Sequence, residues 1–433
     1  MSRLEGFLRL PQPDFESGGK TVPDVFLRRI LHGLGGSVEI INRITASHLT
    51  PEVGDCKSAI EATAKEADLF DQPAWQLLQE NIIYLPGLVF VRASPFHCDN
   101  WLRDTFIGTL FLDLPKVELQ ILNQFNNPDL HPHLPTTRLF PGNRFWAFDD
   151  ESTMLGLIWR AKLSQRGMPL SSEEKDDWSQ RWQWIKGHVQ EGSYITPAGA
   201  ERSWFDTFRF PDSDVVTYNQ GIYAVGAIAA REMGLEDEQS IVDGAQKAYQ
   251  AITHESGRLQ LSRKIPYNDC SLLFGEFLAM HLFGQRLLQD ETVVKTMAEM
   301  PKIQRQIPVI SKEGGFYLLP SEFNRPYRAG DYQNGAEWPA WSAIGQATAE
   351  LHGARHDRVF WQDLFSRLRG NNHPEYFFTG IDGGQHLSSR ESHLWNAVVY
   401  LAARKVCDSE ELEEIGRLPQ RGPTIYTEGF EIS

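Results

Sequence analysis

Apolar residues recur at i, i+3 and i+4 in thirteen separate stretches of this chain, while sustained alternation with period two is scarce. That pattern predicts a mostly helical protein, with helices near 24–46, 56–68, 73–82, 101–127, 151–166, 172–190, 217–234, 236–254, 269–287, 290–300, 336–353, 357–369 and 391–406. Between them lie longer loops rich in Pro, Gly and aromatic residues, at 94–105, 140–153, 201–214, 324–339 and 371–380. The helices are of similar length, the loops come at quasi-regular intervals, and no Gly/Ser linker divides the chain.

A chain of 433 residues has room for two average domains or one large core. An unbroken run of helix pairs predicts the second: a single all-α domain over 1–433 whose helical hairpins close into a toroid, the (α/α)6 barrel. Residues 1–95 are expected to form either an N-terminal helical cap or the first hairpins. No sequence repeat marks the hairpins, so closure is inferred from their number and spacing.

Apolar residues make up 41% and charged residues 23% of the chain, which excludes disorder as the main state. The formal charge of −15 repels phosphates and anionic lipid, so neither nucleic acid nor a membrane surface is an expected partner. Cys56, Cys98, Cys270 and Cys407 are far apart and form no C-x-x-C pair, which fits a reducing cytoplasm. The N-terminal stretch lacks a secretory apolar region, and no run reaches the roughly 20 apolar residues of a membrane span. Twelve Trp residues are many for this length; aromatic faces stack on sugar rings, and large cores use them equally well.

Four loop motifs combine acids, amides and aromatics. The first runs from Asn100 through Trp101, Leu102 and Arg103 to Asp104 at the start of an apolar helix, where adjacent Arg and Asp can hold hydroxyl groups. The second is Trp204, Phe205 and Asp206, an acid beside bulky aromatics whose pKa such surroundings raise, as a general acid requires. Asp212 and Asp214 behind it read as capping or surface residues. Tyr218, Asn219 and Gln220 open the next helix, and the two amides are candidate sugar contacts. The third motif runs from Tyr332, Gln333 and Asn334 to Glu337 and Trp338, a tight Asn-Gly turn whose amides, acid and indole suit a hydroxyl-rich pocket. The fourth, Pro374-Glu375-Tyr376-Phe377, sets a carboxylate among apolar residues, where it can hold a water as general base. Taken singly, each has a plain structural alternative as helix cap, core aromatic or surface acid.

The order of these motifs is more specific. WLRDT in the first quarter, SWFD about 100 residues later, YQNGAEWP in the last quarter and PEYF before the final helix resemble the landmarks of six-hairpin inverting glycosidases. Neutral and alkaline invertases, trehalases and the glucosidase domain of glycogen-debranching enzymes are all similar, over roughly residues 95–405. The resemblance implies that Trp101, Arg103 and Asp104 grip the terminal sugar, that Asp206 is the general acid and that Glu375 is the general base. It also brings Asp150, in the FDDEST segment, toward a sugar-contacting role, with the register between Asp149 and Asp150 open. Gln333 stands where the relatives have His, and Glu337 is an acid where they have an uncharged residue.

The expected reaction is hydrolysis of a terminal glycosidic bond with inversion, in a pocket where Trp101, Trp204 or Trp338 offers a stacking face and Tyr332 is a further substrate contact. The likeness to debranching domains favours a small soluble α-glucoside, a disaccharide or a compatible-solute glucoside such as glucosylglycerol or glucosylglycerate. A sucrose-cleaving invertase and a non-catalytic sugar-binding toroid are the alternatives. No cofactor is implied. His131 and His133, in a Pro-rich loop without Cys or an acidic cluster nearby, read as surface residues, so no metal site is expected.

Overall fold

The computed structural model describes residues 38–85, 87–94, 100–125, 138–139, 150–196, 204, 210–211, 213–266, 268–269, 271–304, 338–370, 373–374, 378–379, 385–386 and 392–418. The helices are α1 (Val38–Thr45), α2 (Pro51–Glu66), α3 (Gln72–Asn81), α4 (Leu102–Thr109), α5 (Pro115–Asn123), α6 (Asp150–Gln165), α7 (Ser172–Lys186) and α8 (Thr217–Glu232). They continue with α9 (Gln239–Gln250), α10 (Phe274–Phe283), α11 (Asp290–Gln304), α12 (Pro339–Leu351), α13 (Arg358–Gly370), α14 (Ala397–Arg404) and α15 (Ser409–Gly416). A 3-10 turn, Leu394–Asn396, leads into α14.

Burial separates the helices into two sets. In α8 every residue from Thr217 to Ala230 is buried, in α12 every residue from Pro339 to Ala349, and α6 is buried from Glu151 to Leu163. A helix sealed on all sides must have neighbours on all sides. The odd-numbered helices instead bury one stripe: α7 hides Trp178, Arg181, Trp182 and Ile185, spaced i, i+3, i+4, i+7. Contacts between elements order the inner set as a ring: α4 packs on α6, α6 on α8, α8 on α10, α10 on α12, α12 on α14, and α14 returns to α4. Outside it, α3 packs on α14, α5 and α7 on α6, α9 on α8, and α11 and α13 on α12. These are six hairpins closed into an (α/α)6 toroid, as the sequence predicts.

Local chemistry accounts for the departures from the predicted elements. The stretch 101–127 is two helices, because Pro115 lacks an N–H and sits at the first turn of α5. The Ile82–Leu85 and Leu88–Val91 strands, β1 and β2, pair as an antiparallel hairpin where no strand is expected. Two-residue strands β3 (Asn100–Trp101) and β4 (Arg138–Leu139) pair antiparallel, and a further hairpin pairs β5 (Val189–Gln190) with β6 (Ser193–Tyr194) through a turn in which Glu191 and Gly192 both take positive φ. The last helix, α15, is started by a capping box in which Asp408 and Glu411 exchange backbone hydrogen bonds. Among the described residues no helix is long and apolar enough to cross a membrane.

Buried polar residues join the layers at defined points. Glu118 on α5 accepts from Trp159 Nε1 (3.0 Å) and Lys162 Nζ (2.6 Å) on α6. Glu276 on α10 accepts the backbone N–H groups of Leu287 and Leu288 (2.9 Å each) and faces His352 Nε2 at 2.8 Å, while His352 Nδ1 reaches Asp290 Oδ1 at 2.7 Å. One imidazole thus binds α10, the start of α11 and the end of α12. Burial disfavours its charge, but the hydrogen bonds to Glu276 and Asp290 outweigh burial and hold its pKa above the ordinary value.

Two consequences are measurable by chemical denaturation. Gly221 on α8 and Gly275 on α10 let their backbones meet, and a Cβ on Gly275 would lie 2.5 Å from the Gly221 carbonyl carbon. Gly275→Ala is therefore expected to destabilise by about 1–3 kcal/mol through overpacking. For His352, a raised folded-state pKa means that its contribution is complete below the unfolded value of about 6.5 and is lost as pH rises through the folded value. The stability difference between wild type and His352→Gln should be about 3 kcal/mol at pH 6 and shrink steadily into the alkaline range; a difference independent of pH would refute the charged bridge.

Candidate active site

The first turns of the inner helices bring polar and aromatic side chains together in one buried cluster, termed the chamber. From α4 come Arg103 and Asp104, from α6 Glu151, from α8 Tyr218, from α10 Phe274, from α12 Trp341 with Trp338 just before it, and from the turn before α14 Trp395. Their contacts show that they converge. Trp341 lies 5.1 Å from Phe274, 5.2 Å from Trp395 and 6.0 Å from Tyr218, ring centre to ring centre, and Trp338 lies 5.7 Å from Trp395. Trp204, brought in from the loop before α8, stands edge-on to Trp338 (5.0 Å) and Trp341 (5.3 Å) and lies 6.3 Å from Trp395. Helix N-termini pointing at one place make it favourable to negative charge.

Glu151 carries that charge. Buried among the rings, it accepts from the Tyr218 hydroxyl at 2.5 Å through Oε1 and pairs with Arg103 Nη1 at 3.4 Å through Oε2. The Arg103 guanidinium lies 5.6 Å from the centre of the Trp395 ring, and its Nε stands 3.6 Å from Asp104 Oδ2. Trp204 is oriented by its indole N–H, which donates to Ser271 Oγ (2.9 Å); Ser271 in turn donates to Asp269. Aromatic faces beside an Arg and two buried carboxylates are the equipment for holding a ring that carries hydroxyl groups.

The predicted residues fall into three groups. Arg103, Asp104, Trp204 and Trp338 meet in or beside the chamber. Half-buried Trp101 precedes them in a two-residue strand, β3 (Asn100–Trp101), that pairs with Arg138 and Leu139. Asp206, Glu375, Tyr332, Gln333, Asn334 and Glu337, like His131 and His133, lie outside the described residues. Asp150 begins α6, with its side chain outside them as well.

Asn219 and Gln220 stand in the barrel wall. Each residue along a helix turns by about 100°, so when Tyr218 faces the chamber the next two residues face elsewhere. Gln220 is fully buried: it accepts from Tyr194 N (2.7 Å) and donates to the carbonyls of Gly192 (3.2 Å) and Ala245 (2.9 Å), pinning the β5–β6 hairpin to α8 and α9. Asn219, also buried, donates to Thr196 Oγ1 at 3.0 Å. These amides brace the barrel wall. Asp214 is likewise a buried brace, accepting from Val215 N and Lys264 N and from the Ser262 hydroxyl.

Glu151, Trp341, Trp395 and Phe274 are chamber residues that the motif reading does not select. Glu151 sits one residue beyond Asp150 in the same FDDEST segment, outside the Asp149–Asp150 pair that the motif reading considers.

No family model matches the sequence, and no curated protein matches it. Among solved structures, the fold is similar to that of a GH63 mannosylglycerate hydrolase from Thermus thermophilus, in complex with Tris and D-glycerate, with TM-score 0.53 and 12% identity over 77% of this chain and 100% of that one. A glycosidase variant in complex with glucose gives TM-score 0.50 and 12% identity over 81% and 97%. A rhamnosidase from Klebsiella oxytoca with rhamnose bound gives TM-score 0.50 and 11% identity over 78% and 63%. The protein has the six-hairpin fold of these glycosidases.

The Glu151 bridge predicts a stability hierarchy. Glu151→Ala, which removes the carboxylate from both Arg103 and Tyr218, should cost about 3–5 kcal/mol in urea unfolding. Glu151→Gln, which keeps an acceptor for Tyr218, should cost less than half of that.

Proposed function

We propose that the protein is an exo-acting, inverting glycoside hydrolase that releases a terminal glucosyl residue from a small soluble α-glucoside in the cytoplasm. Asp206 is the general acid: its protonated carboxyl donates to the leaving glycosidic oxygen. Glu375, ionised, takes a proton from a water on the opposite face of the ring, and that water attacks the anomeric carbon. Carboxyl groups in these roles stand roughly 6.5–9.5 Å apart. Arg103 and Asp104, together with Tyr332, Gln333, Asn334 and Glu337, bind sugar hydroxyls, and Asp150 and Trp101 flank them.

The observation that carries this reading is the convergence of the chain segments adjoining both acids. Trp204, two residues before Asp206, packs against Trp395. Pro374, immediately before Glu375, accepts from Asn396 Nδ2 (2.8 Å), the neighbour of Trp395, and the His373 carbonyl accepts from His393 N at 2.9 Å. Segments more than 160 residues apart are thereby anchored on one turn at the mouth of the barrel. The similarity in fold to a mannosylglycerate hydrolase that binds D-glycerate supports a glycoside with a small polar aglycone, such as glucosylglycerate or glucosylglycerol.

Purified protein incubated with glucosylglycerate, glucosylglycerol, α-linked disaccharides, mannosylglycerate and sucrose, with the released anomer followed by NMR, tests the proposal. First release of the β-anomer from an α-glucoside is expected. Asp206→Asn and Glu375→Gln should each lower kcat by about 10²–10⁴-fold with the fold retained. A tenth or more of wild-type turnover in either would refute its assignment. Cleavage of sucrose alone would favour an invertase, and sugar binding without turnover a non-catalytic toroid.

A further inference from the structure

On the outer surface, away from the chamber residues, three different metal-binding side chains meet where α12, α14 and α15 end or begin. His356 lies in the connection from α12 to α13, Cys407 follows α14, and Glu411 is in the first turn of α15. One ligand atom from each lies within 4.8 Å of the other two. His356 Nε2 faces Glu411 Oε1 at 2.9 Å, and on its other side Nδ1 stands 2.6 Å from Glu350 Oε2.

We propose that His356, Cys407 and Glu411 bind one divalent transition-metal ion of the zinc type. With zinc–nitrogen and zinc–oxygen distances of about 2.0 Å and zinc–sulfur of about 2.3 Å, ligand atoms in a tetrahedral site stand roughly 3–4 Å apart. The three atoms present need only small side-chain rotations to reach that spacing. A mixed nitrogen, sulfur and oxygen set selects zinc or a similar ion over magnesium and calcium, which take oxygen ligands.

Glu350 supports the assignment independently. Its Oε1 accepts from Asp357 N (3.1 Å) and Trp361 Nε1 (3.3 Å), so its carboxylate is fixed. Held there, its Oε2 accepts from Nδ1–H, which leaves Nε2, facing Glu411, as the nitrogen that a metal would take once its proton is lost. That is the carboxylate–histidine–metal arrangement which fixes the tautomer of a metal-bound imidazole. Arg358 Nε lies 3.9 Å from Glu411 Oε1, and its guanidinium is paired with Glu414. Glu410 and Glu413 add further negative charge on α15. The His356 side chain is 34% exposed, which gives the ion a path from solvent. On binding, the Cys407 thiol and the Nε2–H of His356 each release a proton to water, sulfur joins nitrogen and oxygen on the ion, and a water completes the fourth position. Without an ion the same imidazole bridges Glu350 and Glu411, so metal binding exchanges a hydrogen-bonded bridge for a coordinated one and ties α15 to the sixth hairpin.

Untagged, metal-free full-length protein titrated with cobalt(II) chloride is expected to develop a thiolate-to-cobalt charge-transfer absorption that saturates at about one ion per chain and is displaced by zinc. The band should be absent from Cys407→Ser, and Glu350→Gln should weaken metal binding about 10–100-fold. In the wild type, saturating zinc should slow alkylation of Cys407 by iodoacetamide, read by peptide mass spectrometry, at least tenfold. No charge-transfer band, a band that survives in Cys407→Ser, or equal alkylation rates with and without zinc would each overturn the proposal, whether or not the protein proves to be a glycosidase.

Discussion

A helix that is buried on every side cannot face water anywhere, and α8 is such a helix from Thr217 to Ala230. It must be walled in by α6, α10 and α9, and the same demand passes to α6 and α12, which are just as sealed. An open row of hairpins would leave its two end members exposed. Joining α14 to α4 removes both ends, so ring closure is the solution to burying apolar area worth about 25 cal/mol per Å². Close approach within the ring depends on backbone-to-backbone contact at Gly221 and Gly275, where any side chain would push α8 and α10 apart.

The same constraint locates the chemistry. A polar side chain in the middle of a sealed helix must be answered by a partner, as Lys162 of α6 is by Glu118, whereas in the first turns unsatisfied N–H groups and the helix dipoles favour carboxylates. Six such turns brought to one end of a ring concentrate Arg103, Asp104, Glu151 and Tyr218 against a wall of indoles. The carboxylate of Glu151 is stable there because Arg103 and Tyr218 answer it; a lone buried charge would not be. Outside the ring, amphipathic helices can afford polar clusters at their ends. The Glu276–His352–Asp290 bridge and the His356–Cys407–Glu411 group both occur at such ends, where one helix hands over to the next.

Much of this architecture is legible in the chain itself, and the exceptions have causes. Helical periodicity marks both layers because burial acts on it directly, with Trp178, Trp182 and Ile185 on one stripe of α7 and an unbroken apolar run from Gly221 to Ala230 in α8. The β1–β2 and β5–β6 hairpins escape because two to four residues per strand are too few to show a period. Glu151 is one position from Asp150, and Gln220 two from Tyr218. Such neighbours have the same local sequence and differ only in which way the helix turns them.

By itself, then, the sequence determined that the protein is built of paired helices, which of their faces are apolar, and which loops hold acids beside aromatics, because all of these depend on neighbours along the chain. The tertiary structure alone decided which helices are neighbours around the ring, that Glu151 occupies the chamber while Gln220 braces the wall, and that His356 meets Cys407 and Glu411 from more than 50 positions away. Those outcomes rest on contacts between segments distant in sequence, where a rotation of 100° about a helix axis separates a residue of the aromatic cluster from a structural brace.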